Sequence, residues 1–364
     1  MTRWWLALLA TALVFASGAL AQPRPITWRV QTTWTPVQLH YKNAVEMGER
    51  IKEMSGGRLV WEVLAAGAVV GPFEVLDAVN RGVVDAGHSW PGYWTGKNTA
   101  AALFAGTIGG PFGMSEPDYI TWIYAGGGND LYNEFLRADL KMPNVVAFLH
   151  PIDFEEPLGW FKKPIASLAD FRGIKMRSSG LGADLLKEMG ISAVVLGAGD
   201  IIPALERGVV DAVEWSNPAS DIPMGFQDVA KYLILPSFRQ QTTSQELLVN
   251  RRRWEELPAD LKAIVRAAVL AQVPVAMARQ YLESARVFHE LGPRYGVKVM
   301  TTPPDVLEAE IRAIDKVLDM HAQKNPTFAR VLQHQKEFAR VVATYNSRMR
   351  APYARMVEHY FGKP

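Results

Sequence analysis

Two side chains of opposite charge close short apolar runs in this sequence, and each is placed to meet a small charged ligand. Arg177 ends Ile174-Lys175-Met176-Arg177 and is followed by Ser178-Ser179-Gly180. At a strand end, its guanidinium can grip a carboxylate through two parallel N–H donors, with the serine hydroxyls as further donors. The ordinary alternative is a surface ion pair. Glu214 follows Val210-Asp211-Ala212-Val213 and precedes Trp215. A carboxylate buried there requires a cation or a guanidinium; otherwise it caps a helix. Glu155-Glu156-Pro157 offers a third feature, adjacent acids where a hard cation could gather oxygens. Acids before proline are more often solvated. Trp34, Trp90, Tyr93, Phe112 and Trp215 fall near expected strand ends or loops. Aromatic walls with a few polar groups suit a small organic ligand, although each ring alone would serve equally as core.

The elements that must position these groups come in two similar halves. Arg81-Gly82-Val83-Val84-Asp85-Ala86 returns 126 residues later as Arg207-Gly208-Val209-Val210-Asp211-Ala212. In each copy an amphipathic run stops at a glycine suited to a left-handed helix end, and a β-branched run then reads as a buried strand. His88, Ser89 and Trp90 follow one copy; Glu214, Trp215 and Ser216 follow the other. Ligands of open α/β sheets bind beyond the carboxyl ends of strands. Two such sheets face to face would make a cleft with Glu214 on one wall. The spacing is too long for a solenoid and suits two lobes.

Length and composition agree. The 364 residues exceed one ordinary core, and a net charge of +2 with no basic block argues against nucleic acid as a partner. Met1 to Ala21 reads as an export signal: Arg3, an apolar core from Trp4 to Ala16, then Ala19-Leu20-Ala21 before Gln22. The mature chain is therefore expected in the periplasm, cleaved after Ala21. The chain has no cysteine, so an exported fold must rest on a large core, and thiol nucleophiles and Cys-ligated metals are excluded. There is no H-E-x-x-H, G-x-S-x-G, Walker A or strand-borne G-x-G-x-x-G, and no catalytic constellation assembles.

Along the chain, strands are expected at Ile26 to Gln31, Leu59 to Leu64, Val145 to Leu149, Ile174 to Arg177, Ala193 to Leu196, Ala230 to Leu235 and Glu246 to Asn250, the last two returning towards the first lobe. Helices are expected from Pro36 to about Met54, Pro117 to Leu136, Leu181 to Met189, and into the second repeat copy, where Gly199-Asp200 would cap. The β-α-β opening predicts a parallel sheet. Beyond Pro258 the chain is helical: Leu257 to Leu291, Asp305 to Ala322 and Thr327 to Tyr360.

Together these residues resemble the extracytoplasmic solute-binding proteins of TRAP (tripartite ATP-independent periplasmic) transporters. The likeness covers nearly all the mature chain and is most specific from Leu168 to Arg177. It also rests on Ser55-Gly56-Gly57-Arg58-Leu59, Gly159-Trp160-Phe161, the two Val-Asp-Ala copies, and Asn250 before Trp254. It implies an α/β, two-lobed periplasmic-binding-protein fold of type II character, with residues 22–150 as lobe 1, 151–250 as lobe 2 and its returning strands, and 251–364 as a helical region that braces or pairs the lobes. It implies a receptor, not an enzyme, that closes on its ligand and docks on TRAP membrane subunits. In the family the residue matching Arg177 binds the substrate carboxylate. Glu214-Trp215 and Gly159-Trp160-Phe161 are most similar to the branch that binds 2-oxo or 2-hydroxy monocarboxylates, such as pyruvate or lactate, with a metal ion. There the resemblance implies a cation held by Glu214, the Trp215 carbonyl and a side chain just before Gly-Trp-Phe. That side chain, usually glutamine, is Glu156 here, while a position often glutamate is Gln240, as if amide and acid had changed places. Trp34, Trp90 and Tyr93, with Trp160 and Trp215, would form the walls and limit acid size. Glu156, Glu214 and a bound monocarboxylate against Arg177 leave two negative charges, which makes calcium the preferred ion over sodium. The long helix from Leu257 resembles the element that pairs protomers, so a homodimer is expected, with a brace inside one chain as the alternative. Two rivals stand beside this reading. One is a metal-free receptor for a dicarboxylate or sugar acid; the other is an exported metal-dependent lyase or hydrolase with His88 as base.

Overall fold

The structure, a computed structural model, describes residues 24–106, 110–349, 351–352 and 354–362. The expected signal at residues 1–21 lies outside the described residues.

The chain opens with β1 (Ile26–Thr32), helix α1 (Leu39–Met54) and β2 (Leu59–Leu64), the two strands pairing in parallel with Ile26 opposite Leu59. In β1, Trp28 and Val30 point inward while Arg29 faces solvent, the period-2 pattern of a sheet with one packed face. Met47 and Ile51 of α1 cover that face with Leu59 and Trp61 of β2. Gly48 lets the helix approach closely, since a Cβ there would lie 3.1 Å from that of Trp61.

Both repeat copies fold alike, but not as the sequence pattern predicts. Helix α2 (Val75–Arg81) ends at Gly82 with φ +70°, and helix α3 (Ala198–Glu206) is followed by Gly208 with the same φ. The strands begin only after the Val-Val pair. They are β3 (Ala86–Ser89) in the first copy and a two-residue strand, Ala212–Val213, in the second. Val83 and Val209 are exposed at 40% and 46%. The aspartate that follows explains the delay. Asp85 accepts the Arg29 backbone N–H at 2.8 Å, and Asp211 accepts that of Lys175 at 3.0 Å. The N–H of the same aspartate donates back, Asp85 to Arg29 O at 3.1 Å and Asp211 to Lys175 O at 2.7 Å, so side chain and main chain together clamp the start of each ladder. The α3 cap also differs: Gly197 is the N-cap, and Asp200 lies in the first turn.

Two sheets result. The first has the order β2-β1-β3-β10-β4, with β4 spanning Val145–Asp153 and β10 spanning Thr243–Asn250, which runs antiparallel to both of its neighbours. The second has six strands in the order β11-β9-β5-β8-β6-β7: β5 is Gly159–Phe161, β6 Lys175–Arg177, β7 Ser192–Val194, β8 Ala212–Val213, β9 Tyr232–Leu235 and β11 Lys298–Thr301. Of the two strands expected to return, only β10 does; β9 stays in the second sheet, where it pairs with β5 and β11. The chain crosses between sheets through residues 154–158 and back through 236–242. Those crossings touch one another, Glu156 N–H donating to Gln240 O at 3.0 Å, and Leu158 N–H donates to Ile234 O of β9 at 2.9 Å.

Helix α4 (Ala259–Glu290) runs across both lobes. Its Leu261, Val265, Ala268 and Val269 pack beneath the first sheet, although its most apolar stretch is long enough to cross a membrane by composition alone. Further along, Gln280 donates to Ile152 O at 3.0 Å and accepts from Asn217 at 3.2 Å, and Ser284 donates to Asn217 at 2.9 Å. Asn217 belongs to the second lobe, so within one chain this helix is a brace. The single helix expected from Pro117 to Leu136 is two, Glu116–Tyr124 and Gly128–Ala138, broken where Gly127 takes φ +82°. The last helical stretch is likewise two, Pro326–Met349 and Ala354–Phe361.

Candidate functional site

A pocket of about 430 Å³, its open mouth included, lies between the two sheets. Eight of the residues singled out for ligand or metal line it: Trp34, Trp90 and Tyr93 from the first lobe, Arg177, Glu214 and Trp215 from the second, and Glu156 and Gln240 from the two crossings. The cleft is shut. The Trp90 ring of lobe 1 lies against Gly180 of lobe 2, where a Cβ would sit 3.3 Å from it.

Arg177 ends β6 and is buried under Trp215, with Cζ 4.7 Å from the ring centroid. Its Nε donates to Leu196 O at 3.2 Å, while Nη1 donates to Glu214 O at 2.8 Å and to Glu214 Oε1 at 3.0 Å. A guanidinium has five N–H donors, so three are spent on protein and the Nη2 pair has no protein partner among the described residues. That edge remains for an anion.

Glu214 is held from the other side by a residue that sequence reasoning missed. Arg239 Nη1 lies 3.1 Å from Glu214 Oε2, and its Nη2 donates to Glu156 Oε2. The remaining Glu156 oxygen accepts from Gln240 Nε2 at 2.9 Å and Thr243 Oγ1 at 3.0 Å. The inferred exchange of acid and amide between positions 156 and 240 is therefore a direct contact. Burial pushes the Glu156 carboxyl up to about 7, with Arg239 opposing and Glu214 reinforcing the rise. Burial works against the Arg239 charge, yet Glu214 and Glu156 hold its pKa above the ordinary value. The only signal for Arg239 in the sequence was an arginine inside a short connection between two buried strands, which ordinarily reads as a solvated loop.

Behind the aromatic wall runs a chain of hydrogen bonds. Trp34 Nε1 can only donate, so His88 accepts at Nδ1 (2.9 Å), carries its proton on Nε2 and donates to His150 Nε2 at 3.0 Å. His150 then keeps its proton on Nδ1, facing Phe148 O at 3.3 Å. Burial lowers both histidines, His150 to about 4, so the chain is neutral near pH 7. His88 does not line the pocket, and both its nitrogens are engaged, which leaves no role for it as a general base. Beside it His40 meets Asp153 at 3.2 Å on the pocket wall. Tyr93 packs edge-on to Trp90, with centroids 5.3 Å apart, and burial pushes its hydroxyl up to about 12, so it is a neutral donor. Trp160 and Phe112 are not among the lining residues. Trp160 is core, its indole bound to Asp221 at 2.8 Å.

The donor set suits a hard cation. Glu156, Glu214, the Gln240 amide and the Trp215 carbonyl are oxygen groups, and pocket-lining Gln245 has a buried Oε1 with no hydrogen-bond partner. Among the described residues no group of three or more His, Cys, Asp and Glu forms a metal cluster. Any ion here would draw part of its shell from the ligand. The charge balance differs from the one read in the sequence. With Arg239 counted and Glu156 ionised, Glu156, Glu214 and a monocarboxylate against two guanidinium groups leave one negative charge, not two.

A two-lobed α/β cleft closed over a guanidinium and paired carboxylates defines a receptor for a small organic acid. The chain belongs to the bacterial extracellular solute-binding proteins of family 7, whose model matches residues 30–325. It is 30% identical over 327 residues to the monocarboxylate 2-oxoacid-binding periplasmic protein of Nostoc sp. (strain PCC 7120), covering 88% of this chain and 86% of that one. A TRAP transporter solute-binding protein from Bordetella bronchiseptica superposes with a TM-score of 0.84 at 28% identity, covering 93% of this chain and 98% of that one. It was crystallised as a mixed-occupancy dimer with copurified calcium and picolinate. One from Pseudoalteromonas atlantica, with sodium and pyruvate bound, superposes at 0.81 and 30% identity, covering 89% and 97%.

Proposed function

We propose that this protein is the periplasmic receptor of a TRAP transporter and captures a small 2-oxo or 2-hydroxy monocarboxylate, of the size of pyruvate or lactate, together with a metal ion. The observation that carries the reading is the unspent Nη2 edge of Arg177 in a shut cleft, beside the Glu156–Glu214 pair. Arg177 grips the carboxylate. Glu156, Glu214, the Trp215 carbonyl and Gln240 would hold the ion, which supplies positive charge to the acid's carboxylate and 2-oxygen. Trp34, Trp90 and Tyr93 exclude water and bound the ligand's length. Closure brings the lobe-1 aromatics onto the lobe-2 arginine, so the ligand selects the closed form that membrane subunits recognise. The exposed Leu270, Val275, Tyr281 and Leu282 along α4 support the expected homodimer.

A second reading has a specific observation behind it. Arg239 already bridges both carboxylates, so a metal-free receptor for another organic acid is chemically complete. Calorimetric titration of ligand-stripped protein with pyruvate, in calcium, in sodium and in a chelating buffer free of both, separates the two. Binding that requires an ion supports the first; equal heats in all three support the second.

A further inference from the structure

The relation between Arg239 and the two carboxylates carries an inference about ion choice, one that rests on the metal–acid reading above. We propose that Arg239 is the specificity-determining residue for the ion, its fixed charge fitting the cleft to one monovalent cation per captured monocarboxylate and disfavouring a divalent one.

The guanidinium touches one oxygen of Glu156 and one of Glu214, the same two groups that would hold the ion. An ion sharing those carboxylates with Arg239 therefore lies about a carboxylate's width away, roughly 4–5 Å, where like charges repel and the repulsion doubles with the ion's charge. Neutrality points the same way. With Glu156 and Glu214 both ionised, as ligands to an ion would be, the two carboxylates, the two guanidinium groups and the bound acid leave one net negative charge, which sodium cancels and calcium reverses. His40 and Asp153 pair with each other at 3.2 Å on the pocket wall, apart from the two carboxylates that Arg239 touches. Burial raises the Asp221 carboxyl to about 8, so it is protonated at neutral pH.

Arg239 cannot easily swing aside to admit a divalent ion. Its side chain is 3% exposed, and its backbone N–H donates to Ser237 Oγ at 3.0 Å. Ser237 Oγ and the Phe238 N–H in turn donate to the two oxygens of Glu310, at 2.6 and 2.9 Å. The crossing that carries Arg239 is thus anchored by the buried Glu310 of the helix Pro304–Lys324. Moving the guanidinium into water would require the hinge to open, and capture requires it shut. Each unit of ion charge meets Arg239 once, so at an effective dielectric near 20 and this separation the residue should shift the calcium-to-sodium preference by roughly 300- to 1,000-fold.

The test uses the full mature receptor, stripped of ligand, and Arg239→Gln and Arg239→Lys variants. Calorimetry would follow pyruvate uptake in sodium and in calcium, and separately calcium alone without acid. The wild type should take up pyruvate with sodium better than with calcium. Arg239→Gln should move the preference towards calcium by roughly 300- to 1,000-fold, and Arg239→Lys, which keeps the charge, should retain the wild-type order. A wild type that prefers calcium overturns the proposal without any variant, which covers the case of Arg239→Gln failing to fold. An unchanged ion order in a folded Arg239→Gln also overturns it, while leaving the receptor reading intact. If no form binds pyruvate, but Arg239→Gln binds calcium alone far more tightly than the wild type, the substrate assignment fails and the role of Arg239 stands.

Discussion

Replacing Arg177 by lysine isolates the geometry of the arginine from its charge. In the structure Nε and Nη1 spend three hydrogens on Leu196 O and Glu214, and the two on Nη2 have no protein partner among the described residues of a side chain that lines the pocket. Each charge-assisted bond to a ligand carboxylate contributes about 1.5–3 kcal/mol. A lysine ammonium reaching the same place would keep one such bond, because its other donors would be drawn to Glu214 O and Oε1. The expected loss is therefore about 1.5–3 kcal/mol, a factor of roughly 10 to 150 in Kd. The cation–π contact with Trp215 at 4.7 Å also weakens, since a planar guanidinium stacks and an ammonium does not. Replacement by methionine removes both ligand bonds and should cost about 3–6 kcal/mol in binding. That variant should still fold, because Glu214 keeps Arg239 at 3.1 Å as a partner. Titration calorimetry with pyruvate at fixed ionic strength and ion content reads the affinities, and thermal melts confirm the fold. If Arg177→Lys binds within threefold of the wild type, Nη2 does not hold the ligand carboxylate and the reasoning fails.

Other outcomes follow from contacts already described. Glu156→Gln and Gln240→Glu should each weaken ion-dependent binding, whereas the double variant restores the acid–amide pair at 2.9 Å and should recover at least about 1 kcal/mol of the summed losses. A double-mutant cycle by calorimetry that shows additive effects would count against a direct coupling. Trp34→Phe strands His88 Nδ1 in the interior and should lower unfolding free energy by about 1–3 kcal/mol, read from denaturant midpoints. Glu246, buried between Trp94 and Tyr132, has its carboxyl pushed by burial from 4.5 up to about 8. In that window the folded chain holds a proton that the unfolded chain has released, so stability falls as pH rises, by at most about 1.4 kcal/mol per pH unit. His88 and His150 act oppositely but only below their ordinary value of 6.5. Melting curves from pH 6.5 to 8 should therefore show a declining midpoint, and Glu246→Gln should flatten the decline; an unchanged slope would contradict a protonated Glu246.

What the sequence determined by itself was local or repeated. The two Arg-Gly-Val-Val-Asp-Ala copies announced paired lobes because a left-handed glycine and a buried strand leave residue-type signatures, and both glycines do take φ +70°. Arg177 and Glu214 were legible because each is a charge closing an apolar run. The exact strand starts were not, since Asp85 and Asp211 cap neighbouring strands through side-chain bonds that only the folded sheet makes. Tertiary structure alone decided the balance of the cleft. Arg239 lies 83 residues from Glu156 and only 25 from Glu214, on a connection whose sequence resembles any polar loop. Its burial comes from the meeting of two crossings and their anchorage on Glu310. Charge type can be read along a chain, but charge balance is a property of volume. In the reading proposed above, a single guanidinium folded into that volume changes the ion that would neutralise the site from divalent to monovalent.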